Sequence, residues 1–385
     1  MIWLTGFWAS MATMAYVIAL FPGLVLLRGL LRPGPEVPTT ATVTPSVSIV
    51  IAARNEAGCI RSKIERLLAL HHPCDLIEVI VASDGSDDGT DGEVTAVGDE
   101  RVRLLSLPRA GKAAALNAAV AEARGEVLVF TDANSWFADG ALQALLAPFA
   151  DPAVGGVAGD QRYVRAGHER SISDGERAYW SVERAVKAAE SRAGSTISAT
   201  GAIYAVRREL VGEVPPDVTD DFYISTGVIA AGRRLVFAPA ATAYEEVAGS
   251  AGLEYSRKVR VMTRGLTAVR RRAPLLDPRH TGFYALQLLT HKVLRRLMAV
   301  PALGLVTCGI PLMRRHVLYR VVVLGGLGFA AAGAVGTVTA QRRDSRLPLP
   351  LALPAYACLC HVASLRACWN VLRGRSITHW EPPKR

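Results

Sequence analysis

The chain has 385 residues, of which 50% are hydrophobic, and its mean hydropathy is +0.24. This composition excludes an ordinary soluble domain. The net charge is +10 at pH 7, yet the basic residues form no compact stripe interleaved with aromatic residues, which argues against nucleic-acid binding. They concentrate beside apolar segments, as expected for attraction to an anionic bilayer surface.

The N-terminal segment, residues 1–31, predicts a transmembrane helix. Its run Ile2–Leu27 carries no charge and is long enough to cross a bilayer. Arg28 and Arg32 follow directly. The positive-inside rule therefore predicts that the central part of the chain lies in the cytoplasm.

Three further apolar segments predict two to three transmembrane segments within residues 297–372. They are Leu297–Met313, Val317–Ala340 and Leu347–Leu372. The first is short and contains two prolines, so a re-entrant or in-plane segment is an alternative to a full crossing. Residues 273–296 precede it and predict an amphipathic interface segment, and residues 373–385 form a basic tail.

Residues 47–272 have globular composition and follow a linker at residues 32–46. Apolar, β-branched runs alternate there with segments of helical periodicity. We predict strands over Val47–Ala53, Leu76–Ala82, Val102–Leu107 and Val127–Phe130, and helices over residues 57–70, 93–97 and 111–123. This alternation predicts an α/β domain whose parallel sheet is built of right-handed crossovers.

The second half of this region has a different pattern. Val154–Val164 predicts a pair of strands, and residues 200–206 predict another strand after a glycine. Helices are predicted over Asp174–Arg192 and Gly252–Val269, and the acids near Asp220 mark a further helix start.

The loops exclude two common nucleotide sites. The first strand ends in Ala52–Glu56, which lacks the glycines of a dinucleotide-binding fingerprint. Gly111-Lys112 lacks the upstream glycine and the following Ser or Thr of a Walker A loop. Acidic loops after the second and fourth strands are another way to hold a nucleotide.

Asp132 and Asn134 directly follow the fourth strand, and their alternating side chains point the same way. Ligands of open α/β sheets bind beyond the carboxyl ends of the strands. Two oxygen ligands there suit a hard cation that holds a diphosphate. An Asx turn that caps the next helix explains the same two residues equally well.

Several short segments, in this order, resemble family 2 inverting glycosyltransferases of the GT-A fold. They are Asn55-Glu56, Asp84–Thr90, Arg109–Lys112, Phe130–Asn134, Thr200–Ala202, Thr219–Phe222 and Arg257–Arg260. The nearest resemblance is to the membrane-embedded branch that includes cellulose, hyaluronan and poly-N-acetylglucosamine synthases. It implies an α/β catalytic domain at residues 47–272, with a Rossmann-like mixed sheet, flanked by transmembrane helices.

The resemblance also implies a nucleotide-sugar site. Its residues would be Ala52, Arg54, Glu56, Asp84, Lys112, Asp132, Arg257 and Arg260. Asp84 would hold the uridine, and Asp132 would bind Mg²⁺ or Mn²⁺ together with Asn134. The cation would neutralise the charge that grows on the diphosphate leaving group.

The same resemblance implies that Asp221 is the general base and places Gly201 and Ala202 on the acceptor side. Asp220 is the alternative base. Inversion by single displacement needs only one base, on the face opposite the leaving group. The lack of a Ser–His or Cys–His pair is therefore expected.

Two departures from the family pattern bear on function. The second acid of the DxD-type motif is Asn134, which coordinates without adding charge. Where processive relatives have QxxRW, this chain reads Arg257–Val261 and lacks the glutamine and the tryptophan. Val261 cannot stack on a terminal sugar, which argues against processive polymerisation.

We therefore predict a membrane-anchored inverting glycosyltransferase, with its catalytic domain on the cytoplasmic face of a bacterial plasma membrane. It would move a sugar from a UDP-sugar to a lipid-linked or growing cell-surface glycan. One alternative is a processive polysaccharide synthase that exports its polymer. An alternative of another class is a catalytically silent scaffold subunit of a glycan-assembly complex.

Overall fold

The computed structural model describes residues 1–32, 34, 38, 44–164, 174–246, 251–342 and 348–377, and the side chains of residues 174–180, 251–253, 340–342 and 349 are not described. Most of the expected linker and of the basic tail lies outside the described residues. The chain divides into two compact units. The first comprises Met1–Leu24, Gly249–Arg270 and Leu286–Ile377, and the second comprises Val25–Ala248 with Arg271–Ala285.

Eight strands are described. They are β1 (Val47–Ala53), β2 (Ile77–Asp84), β3 (Val102–Leu107), β4 (Val127–Phe130), β5 (Ser135–Phe137), β6 (Val154–Val164), β7 (Tyr204–Arg207) and β8 (Arg234–Glu246).

The described α-helices are distributed over both units. They are α1 (Ile2–Ala15), α2 (Phe21–Leu31), α3 (Ile60–Leu68), α4 (Thr90–Thr95), α5 (Lys112–Glu122), α6 (Ala141–Leu146), α7 (Asp174–Ala193), α8 (Asp220–Ala230), α9 (Ala251–Arg271), α10 (Pro278–Thr281), α11 (Phe283–Leu288), α12 (Ala299–Gly309), α13 (Val317–Arg342) and α14 (Leu349–Leu372).

The eight strands form one sheet in the second unit, in the order β3-β2-β1-β4-β7-β6-β8-β5. β3, β2, β1 and β4 are parallel, as the strand–helix alternation predicted. β7 is antiparallel to both β4 and β6, β8 is parallel to β6, and β5 is antiparallel to β8. The sheet is therefore mixed, with a Rossmann-like parallel half.

The parallel half is covered on both faces, which explains its continuous apolar runs. All seven residues of β1 are buried. Val47, Ile49 and Ile51 share one core cluster with residues of α3 and α6. By strand alternation Val50 faces the opposite side, and α5 also packs against β1 and β2.

The second half departs from the sequence prediction in three places. Val154–Val164 is one strand and not a pair, because it is hydrogen-bonded to β7 and β8 on its two sides. The predicted strand at residues 200–206 begins only at Tyr204. β5 and β8 were not predicted, because β5 has only three residues and β8 is held by strands distant in sequence.

Three described helical segments are long and apolar enough to cross a membrane. They are Ile2–Leu31, Val317–Thr339 and Pro350–Leu372. Two further segments, Phe283–Leu297 and Ala299–Leu312, meet at a bend of 52° and together resemble a broken span or a re-entrant loop. The expected interface segment at residues 273–296 is not one regular α-helix, since α11 within it continues as π-helical and 3-10 turns.

Within the first unit, the N-terminal helix packs with C-terminal ones. α1 packs against α12, which packs against α13, and α13 packs against α14. Phe7 is fully buried in a cluster with Leu305, Leu312 and Tyr319. Its ring meets that of Tyr319 edge-on, with centroids 4.8 Å apart. The apolar ends of the chain thus form one bundle of helices.

Candidate functional site

Lys112 joins two carboxylates that come from distant parts of the sheet domain. Its Nζ lies 2.9 Å from Oδ1 of Asp132, just after β4, and 3.0 Å from Oδ2 of Asp220, the first residue of α8. Burial disfavours the charge on Lys112, but Asp132 and Asp220 outweigh that effect and raise the pKa of Lys112 above its ordinary value. The structure therefore brings together three of the residues singled out in the sequence.

Asp221 and Tyr204 border this charged group. Oδ1 of Asp221 accepts a hydrogen bond from the N–H of Phe222 at 2.6 Å, and this carboxylate lies in the first turn of α8, where negative charge is favourable. Tyr204, at the start of β7, is 1% exposed, and its hydroxyl has no hydrogen-bond partner among the described residues. Burial and the charges of Asp220, Asp221 and Asp132 raise the pKa of Tyr204 well above its ordinary value. Sequence reasoning did not find Tyr204.

Gly201, expected on the acceptor side, lies directly against Asp132. A Cβ atom at position 201 would come within 2.9 Å of Oδ2 of Asp132, so a larger residue there would displace the carboxylate. Ala202 is fully buried in the core. Its carbonyl accepts from the side chain of Thr131, at 2.8 Å, and lies 3.2 Å from Oγ of Ser135. Both residues thus position the Asp132 loop.

A second polar pair, Arg54 and Asp84, lies at the carboxyl ends of β1 and β2. Oδ1 of Asp84 accepts hydrogen bonds from the N–H groups of Ala110 and Gly111, at 2.6 and 2.8 Å. Its Oδ2 lies 3.9 Å from Nη1 of Arg54, and neither atom has a hydrogen-bond partner among the described residues although both are buried. Buried polar atoms of this kind need an explanation, and a polar ligand is one.

The chain turns sharply beside this pair. Gly85 has φ of 60°, a conformation that favours glycine. A Cβ atom there would come within 2.9 Å of the backbone nitrogen of Arg109. The turn that follows Asp84 and the loop that precedes α5 are therefore packed backbone to backbone.

The other carboxylates of the acidic loop hold the loop after β1. Asp87 accepts from the side-chain amide of Asn55 at 2.8 Å, and Asp88 accepts from the N–H of Ala57 at 3.0 Å. The N–H of Glu56 donates to Oγ1 of Thr90 at 2.9 Å. Asp87 and Asp88 thus act structurally, and Asp84 is the acid that faces Arg54. Ala52, two residues before Arg54, is buried within β1.

Asn134 is held by an acid that sequence reasoning missed. Its side-chain nitrogen lies 3.3 Å from Oε1 of Glu245 on β8, and Oε2 of Glu245 accepts from the side-chain amide of Gln161 on β6. An ionised carboxylate only accepts hydrogen bonds, so the amide nitrogen of Asn134 must face Glu245. The amide oxygen of Asn134 is consequently turned away from Glu245.

The residues after β4 suit a hard cation by their chemistry. Asp132 supplies a carboxylate, and Asn134 supplies an oriented amide oxygen. Among the described residues no group of three or more His, Cys, Asp or Glu side chains could hold a metal ion. Any cation here would therefore take its remaining ligands from a phosphate and from water, as Mg²⁺ commonly does.

Lys63 is a further residue that sequence reasoning missed. It donates from the buried face of α3 to Oγ1 of Thr131 at 2.8 Å and to the carbonyl of Ser135 at 2.6 Å. Burial lowers the pKa of Lys63 to about 7, although the charge of Asp132 acts in the opposite direction. A lysine within the apolar stripe of a helix was the available signal in the sequence.

Arg257 and Arg260 lie on α9, in the first unit. Arg257 pairs with Glu254 one helical turn earlier, at 3.0 Å. Lys258 is 3.1 Å from the same carboxylate and donates to the hydroxyl of Tyr356 on α14 at 3.0 Å. Arg257 and Lys258 are thus engaged by contacts within the first unit.

Comparison with known proteins supports the resemblance over the central domain. Residues 48–214 match the model for Glycosyl transferase family 2. Succinoglycan biosynthesis protein ExoO of Rhizobium meliloti (strain 1021) is 38% identical over 98 residues, which cover 25% of this chain and 28% of that protein. An N-acetylglucosaminyltransferase of Rhizobium leguminosarum bv. viciae is 24% identical over 232 residues, which cover 56% of this chain and 54% of that protein. The chain thus spans about a quarter to a half of the length of these curated relatives.

One solved structure resembles nearly the whole chain. A mannosyltransferase from Pyrobaculum calidifontis, in complex with GDP-Man and Mn²⁺, has a TM-score of 0.69 and 22% sequence identity, covering 95% of this chain and 99% of that chain. This likeness confirms the expected α/β fold with its mixed sheet. Residues 48–214 therefore match the family 2 glycosyltransferase domain, and the chain has a GT-A-like fold.

Proposed function

We propose that this protein is a membrane-anchored inverting glycosyltransferase that takes its sugar from a UDP-sugar. The observation that carries the proposal is the bridge from Asp132 through Lys112 to Asp220. It joins an acid of the parallel half of the sheet to an acid at the start of α8. The reaction needs a diphosphate site and a general base close together, and the bridge brings the start of α8, where Asp221 follows Asp220, to the loop of Asp132.

Arg54 and Asp84 are the proposed site of the nucleotide base. Oδ2 of Asp84 is a buried acceptor, and Nη1 of Arg54 is a buried donor. A uracil ring carries one N–H between two carbonyl groups, so it offers a donor to the carboxylate and an acceptor to the guanidinium. Ala52 and Glu56 belong to the same strand end and are proposed to line this pocket.

Lys112, Asp132 and Asn134 are the proposed site of the diphosphate. Asp132 and the amide oxygen of Asn134 would hold Mg²⁺ or Mn²⁺, which when bound neutralises charge on the leaving group. Lys112 supplies a fixed positive charge beside Asp132 for the same oxyanions. Arg257 and Arg260 match the position of the QxxRW motif, and their role as nucleotide-sugar-binding cations stays a prediction of that resemblance.

Asp221 is the proposed general base. Asp220 is engaged with Lys112 at 3.0 Å, and Asp221, the next residue of α8, matches the general-base position of the family pattern. In single displacement the base removes the proton from the acceptor hydroxyl as that oxygen attacks the anomeric carbon. No covalent sugar–enzyme intermediate forms.

The acceptor is proposed to be a lipid-linked or growing cell-surface glycan. Two rhizobial relatives, one a protein of succinoglycan biosynthesis and one an N-acetylglucosaminyltransferase, support a role in glycan assembly. Three helices with the length and apolarity of membrane spans support an acceptor presented at a bilayer. Arg28 and Arg32 support a cytoplasmic catalytic domain under a bacterial plasma membrane.

The test compares two variants of adjacent acids, Asp221→Asn and Asp220→Asn, in full-length protein in detergent. We expect Asp221→Asn to retain UDP binding and to lose transfer by at least about a hundredfold, the scale of general-base catalysis. Near-normal turnover in Asp221→Asn, with loss in Asp220→Asn, would assign the base to Asp220.

Donor and product assays test the rest of the proposal. UDP-glucose, UDP-N-acetylglucosamine, UDP-galactose, UDP-glucuronate and GDP-mannose are each supplied with Mg²⁺ or Mn²⁺, and nucleotide release is measured. Release with a UDP-sugar supports the proposal, and release with GDP-mannose alone would overturn the donor assignment. If none of the donors gives nucleotide release, a catalytically silent scaffold is favoured. A ladder of long products from one acceptor would favour a processive synthase.

A further inference from the structure

Lys63 occupies a position on α3 where the pattern of the helix calls for an apolar residue. Ile60, Ile64 and Leu67 lie on the same face and are buried in the core, and Lys63 itself is only 4% exposed. An ammonium group loses its hydration on burial, and this cost must be offset by polar contacts. Packing alone would be satisfied by methionine, so the amine has another role.

The contacts of Lys63 enclose the loop that carries Asp132. Its Nζ lies 2.8 Å from Oγ1 of Thr131, which precedes Asp132. It also lies 2.6 Å from the carbonyl oxygen of Ser135, which follows Asn134, and 3.4 Å from Oγ of Ser135. One buried amine thus holds both ends of the three-residue loop between Thr131 and Ser135.

The same contacts connect this loop to the Gly201–Ala202 segment. The hydroxyls of Thr131 and Ser135 lie 3.0 Å apart, and both reach the carbonyl oxygen of Ala202, at 2.8 and 3.2 Å. The preceding residue, Gly201, approaches Asp132 so closely that even a methyl group would collide with its carboxylate. A small shift of either segment would therefore move the carboxylate of Asp132.

Phe137 closes the other side of this polar cluster. The Nζ of Lys63 lies 4.7 Å from the centroid of the Phe137 ring, within the range of a cation–π contact. Phe137 belongs to β5, which pairs with β8, the strand that carries Glu245. Lys63 is thus positioned against the two segments that place the carboxylate of Asp132 and the amide of Asn134.

We propose that Lys63 is a positioning residue for the metal–diphosphate site: it fixes the distance and direction of Asp132 and Asn134 by clamping the ends of their loop. This inference rests on the proposed function of that loop. Groups that orient metal ligands from behind commonly change metal affinity by about 10- to 100-fold when removed. Lys63 itself would not touch the nucleotide sugar.

The experiment uses full-length protein in detergent and three variants. Lys63→Met keeps the volume and removes the amine. Thr131→Val removes one of the hydroxyls that the amine contacts and serves as an independent test if Lys63→Met does not fold. Arg66→Met is the matched control, because Arg66 is a cation on the same helix and is exposed. The readouts are Mn²⁺ affinity in the presence of UDP, metal-free UDP affinity and the midpoint of thermal unfolding.

We expect Lys63→Met to weaken Mn²⁺ binding by about 10- to 100-fold, with metal-free UDP affinity and the unfolding midpoint close to those of the wild type. Thr131→Val should weaken Mn²⁺ binding by a smaller factor, and Arg66→Met should change nothing. Unchanged Mn²⁺ affinity in a folded Lys63→Met protein would overturn this inference but leave the proposed function standing. Equal losses of Mn²⁺ and metal-free UDP binding would also overturn it, in favour of a general structural role. A wild-type protein that binds neither UDP nor Mn²⁺ would overturn the proposed function and the inference with it.

Discussion

Two charged sites differ in how completely their side chains are paired: the group of Lys112, Asp132 and Asp220, and the pair of Arg54 and Asp84. Around Asp132, Lys112 pairs with two carboxylates at 2.9 and 3.0 Å. At Asp84, the carboxylate and Arg54 are 3.9 Å apart, and each keeps a buried atom without a hydrogen-bond partner among the described residues. A ligand at the first site must compete with or join existing charge pairs, whereas a ligand at the second completes missing hydrogen bonds. We therefore predict that binding at the Asp132 site depends on cations and on charge. Binding at the Asp84 site should depend on the hydrogen-bonding pattern and shape of the ligand.

The largest effect on ligand binding is expected for Asp84→Asn, at the second of these sites. The amide keeps an oxygen for the N–H groups of Ala110 and Gly111, but it places an NH₂ group where the open acceptor was. Loss of a hydrogen bond to a charged group costs about 1.5–3 kcal/mol, so we expect UDP affinity to fall by roughly 10- to 100-fold. Isothermal titration with UDP, with and without Mn²⁺, measures it.

Mn²⁺ affinity should be the same for Asp84→Asn as for the wild type. Asp99→Asn is a suitable control, because Asp99 is engaged with Arg101 at 2.7 Å, on the turn before β3. If Asp84→Asn bound UDP as tightly as the wild type, the open acceptor would not be the base-recognition group.

A smaller effect, confined to the first site, is expected for Glu245→Gln. The glutamine can present either oxygen or nitrogen to Asn134, so the amide of Asn134 is no longer held with its oxygen turned away. We expect Mn²⁺ affinity to fall by about tenfold, with UDP affinity in the absence of metal unchanged. Electron paramagnetic resonance of free Mn²⁺ measures the loss.

Glu246→Gln provides the matched control, since Glu246 is the adjacent residue of β8 and is exposed. Equal Mn²⁺ affinities of the two glutamine variants would contradict the orienting role of Glu245. Asn134 would then be positioned by its loop alone.

The smallest expected effect is a dependence of stability on pH. The folded-state pKa of Lys63, about 7, is below its ordinary value of 10.5. Between these values the unfolded chain binds a proton that the folded chain does not, so the free energy of unfolding rises with pH. Between pH 7 and 8 the free energy of unfolding of the wild type should rise by about 1 kcal/mol more than that of Lys63→Met. Below pH 6 the difference between the two proteins should stay constant.

Denaturant unfolding of both proteins at pH 6, 7, 8 and 9 measures this difference, and the other titrating groups cancel between them. Parallel curves for the wild type and Lys63→Met would mean that the Lys63 amine keeps its ordinary proton affinity when buried. A group that is stabilised in its protonated form by folding would have the opposite effect: the free energy of unfolding would fall as the pH rises.

Local patterns predicted most of the parallel half of the fold. β1 and β4 begin and end where the sequence predicted, because both are covered on both faces and are mostly apolar. β3 also matches its predicted bounds, although it is an edge strand whose residues are partly exposed. β5 is too short to leave such a pattern. β8 begins with the short apolar run Leu235–Ala238, but a proline follows it, so the length of the strand was not evident from the sequence. Their pairing, Ser135 with Glu245, spans 110 residues and was invisible to local periodicity.

Local sequence signals, namely strand ends and turn residues, predicted the fold class and the acidic loops that carry Asp84 and Asp132. The candidate Asp221 came from the family resemblance. The contacts that support those residues became visible only in the folded structure. Lys63 reaches Thr131 across 68 positions and Asn134 reaches Glu245 across 111, and such contacts follow from packing of the sheet. The same packing joined Lys112 to Asp220, since hydrogen-bond and ion-pair partners are set by distance in space and not by spacing along the chain.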